Sequence, residues 1–110
     1  MIQKSTAHLL ALATLTPLVG VNDRSIKDSA NIFIEVLDKR FAMYEIRRRN
    51  LTFGEKYFQH AGVVMGSSEN RLYVDEAAQA GHVLQFTVTG IDKAGNESSA
   101  FLTDIIRVGG

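Results

Sequence analysis

Histidine is both the usual proton shuttle near neutral pH and the commonest metal ligand, so His8, His60 and His82 come first. They are far apart, and none stands in an H-x-x-x-H or H-x-H spacing with a nearby carboxylate, so no metal site is expected. Asp75 and Glu76 are adjacent carboxylates, but successive side chains on an extended strand end face opposite ways, which makes them poor acid and base partners. Ser67, Ser68, Ser98 and Ser99 lie among turn formers, and none occupies a G-x-S-x-G elbow. The glycines are scattered, with no phosphate-cradling loop. The lack of cysteine removes disulfides, thiolate metal sites and a cysteine nucleophile together. These residues point to no enzyme and no cofactor.

Two other clusters have a possible binding chemistry and a structural alternative. Asp92 and Asn96 offer oxygen ligands of the kind calcium takes, but two fall well short of the roughly six to eight it needs. The structural reading puts Gly95 at positive φ and has Asp92, Asn96 and Ser98 bond back to loop amides, holding a turn between strands. Arg47, Arg48 and Arg49 form the dense basic run, with Lys39 and Arg40 expected close by across a turn. Alternation puts Arg47 and Arg49 on one face and Arg48 on the other. Arg47, Arg49, Lys39 and Arg40 are therefore candidate contacts for an acidic partner or phosphate. Alternatively they form a solvated face that discourages edge-to-edge pairing, with Glu35 and Glu45 neutralising part of it. Replacing Arg47 and Arg49 by serine is then expected to leave melting almost unchanged while weakening partner binding.

The elements that position these residues follow from size and periodicity. A chain of 110 residues supports one core, and 45% hydrophobic with 22% charged residues excludes a disordered tail. Twelve basic residues balance twelve acidic ones, so the chain lacks the global field that draws a protein onto nucleic acid or anionic lipid. The apolar stretch from Leu9 to Val21 is interrupted by Thr14, Thr16 and Pro17. It falls short of the ~18 apolar residues a membrane helix requires and fits a signal peptide poorly, so no membrane insertion is expected. Residues 1–10 read as an extension and residues 11–21 as a first strand bent or broken at Pro17.

Ile32, Ile34 and Val36 share one face of a second strand, and residues 41–49 alternate again, so the two read as partners. Residues 57–65 and 72–74 offer two weaker strands. Residues 83–91 give the clearest one, with Leu84, Phe86 and Val88 inward, and it should be central. Residues 101–108 supply the last strand before a Gly-Gly tail at 109–110. No window makes an amphipathic helix of ten or more residues with caps. About seven strands at this spacing predict an all-β, antiparallel sandwich over residues 11–108.

Two segments carry a family resemblance. Phe86-Thr-Val-Thr-Gly-Ile-Asp-Lys-Ala-Gly-Asn-Glu-Ser98 resembles the penultimate strand and D-x-x-G-N-x-S loop of fibronectin type III domains, and Phe41-Ala-Met-Tyr-Glu-Ile-Arg47 is similar to their third strand. Val36 stands where the family usually has tryptophan and Leu84 where it has tyrosine, so the core must be refilled from Phe33, Phe41, Tyr44, Phe58 and Phe86. The resemblance implies an immunoglobulin-like sandwich acting as a noncatalytic structural or binding module. Because similar domains occur in phage tail-tip, tail-fibre and head-decoration proteins, it further implies a virion location. The implied partners are other virion or host-surface proteins, possible glycans and further copies of the chain, with no nucleic acid. The rival is an accessory domain of a secreted bacterial carbohydrate-active enzyme. The chain's extent suits a small accessory virion protein or a domain cut from a larger one. The turns at residues 38–40, 66–70 and 92–99 are the expected contact positions, because rigid strands commonly present variable loops.

Overall fold

The structure, a computed structural model, describes residues 15–25 and 31–109. Among these described residues eight strands run in chain order: β1 (Val19–Asp23), β2 (Ile32–Val36), β3 (Met43–Asn50), β4 (Gln59–Met65), β5 (Leu72–Asp75), β6 (Val83–Ile91), β7 (Phe101–Leu102) and β8 (Ile106–Arg107). A 3-10 turn, Leu51–Phe53, separates β3 from β4. One antiparallel sheet has the order β1-β2-β5; the other has β4-β3-β6-β7, with β8 also pairing β6. No helix among the described residues is long and apolar enough to cross a membrane.

The two-residue period decides which side chains are buried. Ile32, Ile34 and Val36 from one sheet meet Tyr44, Ile46, Leu84, Phe86 and Val88 from the other in one core cluster. β6 is central, paired on one side with β3 and on the other with β7 and β8. Of the five aromatic candidates, Phe41, Tyr44 and Phe86 are buried. Phe33 and Phe58 remain on outer surfaces, under the guanidinium groups of Arg24 and Arg49 respectively.

Two inward-facing glycines make room for rings. A Cβ on Gly90 would lie 2.4 Å from the Phe41 ring, and one on Gly62 would lie 2.7 Å from that of Tyr73. Gly90 is opposite Tyr44 in the β3–β6 ladder, and Phe41 packs edge-to-face on Tyr44 with centroids 5.8 Å apart. The aromatic bulk that Val36 does not provide thus enters through a glycine socket. Gly90→Ala is expected to cost about 1–3 kcal/mol by overpacking. Phe41→Leu in the same chain should recover part of it, and urea titration of the single and double variants reads the coupling.

Three expectations about strands need correction. First, β2 and β3 are not partners: they belong to different sheets and face each other across the core. Two consecutive strands with matching apolar faces can bury them either side by side or face to face. Here residues 37–42 carry the chain across, fastened by the buried Asp38. Second, β1 occupies Val19–Asp23, so it runs past the expected end at Val21, and residues 15–18, Pro17 included, lie outside it. Residues 11–14 of that expected strand lie outside the described residues. Third, the final strand divides into β7 and β8 because Thr103 turns inward between them. Its hydroxyl accepts from the Phe86 amide at 3.0 Å, and its own amide donates to the Phe86 carbonyl at 3.0 Å.

Candidate functional site

Register brings the three expected contact turns to one end of the sandwich. Met43, at the start of β3, pairs with Met65, at the end of β4, and with Ile91, at the end of β6. The β2–β3 crossover, the β4–β5 turn and the β6–β7 turn therefore leave from the same end. Between them lies a cleft of about 770 Å³. Its lining includes Lys39, Arg40 and Lys93 together with the apolar Phe41, Met65 and Ala94.

The crossover that presents Lys39 and Arg40 is built on a buried carboxylate. Asp38 accepts from the Leu18 amide at 2.8 Å, from the Tyr44 hydroxyl, and from Arg40 Nη2 at 3.1 Å. Arg40 also donates to the Thr16 carbonyl at 2.7 Å, so the segment before β1 is tied to the same corner. Burial pushes the Asp38 carboxyl up, but the bonds from Tyr44, Leu18 and Arg40 outweigh it and hold the group below its ordinary value. Tyr44 moves the other way: burial, then its bond to Asp38, raises its hydroxyl from 10.0 to about 12.

These shifts set two edges of stability. A lowered carboxyl stabilises the fold above its unfolded value of 3.8, and that contribution disappears as pH falls through the folded value. The raised Tyr44 hydroxyl contributes fully below pH 10.0, and its contribution disappears as pH rises through about 12. Denaturation midpoints should therefore fall below about pH 4 and above about pH 10, with the alkaline fall smaller in Tyr44→Phe and the remainder carried by Tyr73, whose hydroxyl burial also raises. An unchanged alkaline limb in that variant would remove Tyr44 from the account.

The β6–β7 turn is held by its own polar groups. Asp92 Oδ1 accepts from the Ala94 amide at 3.0 Å and the Asn96 amide at 2.8 Å. Gly95 has φ +88°, a backbone conformation that favours glycine. The Asn96 side chain donates to Asp92 Oδ2 at 3.1 Å, where the expectation had it bonding a loop amide. Ser98 Oγ accepts from the Gly90 amide in β6 at 2.8 Å, fastening the turn to the sheet.

The arginine run lies elsewhere. Lys39 and Arg40 precede the first residue of β3, whereas Arg47 and Arg49 stand near its last, on the order of 20 Å away at strand rise. These four candidate contacts do not form one patch. Arg47 is exposed and paired with Glu45, which also bonds His60 Nδ1 at 2.9 Å. The His60 bond, against burial and aided by Arg47, holds the Glu45 carboxyl below its ordinary value.

Arg49 is committed internally. It donates to Gln85 Oε1 at 2.6 and 3.1 Å and to the Lys56 carbonyl at 3.0 Å, and its guanidinium lies 4.7 Å over the Phe58 ring. Gln85 is buried and passes the connection to the Thr103 carbonyl at 3.0 Å. The expectation that losing both arginines leaves melting unchanged is therefore corrected for Arg49. Arg49→Ser is expected to cost about 1.5–3 kcal/mol in urea titration, the range of charge-assisted hydrogen bonds. Arg47→Ser should stay within about 0.5 kcal/mol.

Arg48, opposite these two, had no assigned role in the sequence reading. It reaches Asp75 in the other sheet, with Nη1 2.9 and 2.7 Å from the two carboxylate oxygens. Asp75 is buried, whereas Glu76 is exposed, so the adjacent carboxylates part company. The visible signal was a charged residue in the inward phase of Tyr44, Ile46 and Arg48. Among the described residues no group of three or more His, Asp or Glu side chains comes together to hold a metal ion; His8 lies outside them.

No protein-family model and no curated protein sequence matches the chain. Solved structures do. The twitchin kinase region from C. elegans (Fn31-NL-kin-CRD-Ig26) is similar over 79% of this chain, at 16% identity and TM-score 0.54. The match spans 15% of that longer chain. A structure described as a myokine is similar over 86% of this chain and 99% of its own, at 15% identity and TM-score 0.52. With two antiparallel sheets packed over one core, the chain has the immunoglobulin-like, fibronectin type III β-sandwich fold.

Proposed function

We propose that this sandwich is a noncatalytic structural and binding module of a phage particle, meeting a neighbouring virion protein or the host surface through its loop end. The observation that carries the binding role is the convergence of three turns on one cleft with a cationic rim and an apolar floor. Rigid strands holding shaped loops are a common arrangement for recognition. The virion setting rests on the Tyr44-Glu45-Ile46 strand and the turn from Asp92 to Ser98, whose sequences resemble those of phage domains. Recovery of the chain in purified particles, with tail or capsid genes beside its own, is the expected result. An open reading frame that continues into a hydrolase, with no particle association, would overturn the virion setting and favour a secreted accessory domain.

A further inference from the structure

We propose that the loop-end cleft, with the row of Met65, Met43 and Ile91 that leaves it across the outer face of the sheet, seats an acidic and partly apolar polypeptide segment of a partner protein. The proposal rests on the binding role above and deepens it by naming the partner's chemistry. Lys39 and Lys93 are exposed at the rim and have no acidic partner among the described residues. Arg40 shares the lining but is paired with Asp38. Among the described residues Asp92 is the carboxylate in the lining, and both its oxygens accept from amide donors of its own turn. Glu69 and Glu97 stand on the same turns but outside the lining. A visitor therefore meets positive charge above Phe41, Ala42, Met65 and Ala94.

The apolar surface continues past the cleft. Met65, Met43 and Ile91 are direct neighbours on three adjacent strands, so their row spans roughly 10 Å at strand spacing. Met65 is 48% exposed and Val63, next along β4 on the same face, 47%. Carboxylates on the lysines and apolar side chains along this row use both halves of the surface. A sugar needs a dense set of hydrogen-bonding side chains, whereas the apolar floor offers it few, which favours a polypeptide over a glycan.

The test uses the intact chain and a short fluorescein-labelled peptide of glutamate and leucine, read by anisotropy, with methyl NMR of the methionines. Saturable binding is expected, with shifts at Met43 and Met65 and a strong decrease on adding salt. The Lys39→Glu/Lys93→Glu variant should bind about tenfold more weakly or worse. Both side chains are exposed, so circular dichroism should be unchanged, and Met65→Ser offers a second, uncharged lesion. No binding, equal binding of a glutamine-for-glutamate peptide, full binding by the charge-reversed variant, or preference for an anionic oligosaccharide would each overturn the proposal. If the charge-reversed chain enters particles normally, the cleft assignment fails alone. If the wild-type chain binds the peptide but enters no particle, the virion setting fails alone.

Discussion

Truncating Phe86 to alanine is expected to cost about 3–5 kcal/mol, the range for removing a buried aromatic ring. The ring has 0% exposure and sits on β6, which is hydrogen-bonded on both sides, so the surrounding structure has little freedom to collapse into the void. Backbone contacts survive the change, because the Phe86 amide and carbonyl bond Thr103 independently of the ring. The loss is thus a measure of packing. Against a total of roughly 5–15 kcal/mol for a domain, it should bring the variant close to unfolding at room temperature. Urea titration checks it, and a loss below about 1 kcal/mol would mean that the ring is not in the core.

Arg48→Met is expected to cost about as much, ~3–5 kcal/mol, for an electrostatic reason. Asp75 is 2% exposed, and its charge is met by Arg48 and the Ala77 amide, the latter at 3.0 Å. Removing the guanidinium strands a carboxylate in the space between the sheets. The reverse lesion, Asp75→Ala, should cost less, because the Arg48 side chain is 31% exposed and can turn to water. The double variant Arg48→Met/Asp75→Leu should regain most of the loss, since an apolar pair of similar volume often replaces a buried ion pair without penalty. Equal costs for the two single changes would contradict this asymmetry.

The bond between Arg48 and Asp75 spans 27 positions of the chain, and that between Arg49 and Gln85 spans 36. Separations of this kind mark the boundary of what was legible. Alternation along residues 83–91 already put Leu84, Phe86 and Val88 inward, because side-chain direction in a strand depends only on parity. The same rule separated Arg48 from Arg47 and Arg49, but it could not say what lay opposite each. Asp38 read as part of a charged turn, yet it is buried, since the donors that satisfy it come from Leu18 and Tyr44.

The linear order of residues by itself determined the all-β class, the inward faces and the positions of the turns. Each is a local property of spacing, branching or glycine placement. Tertiary structure alone decided that β2 and β3 face each other across the core, that Phe41 fills the space left by Gly90, and that three turns share one cleft. Those outcomes depend on which apolar faces and charged groups meet after the chain closes on itself, and parity along a single strand carries no information about its neighbours.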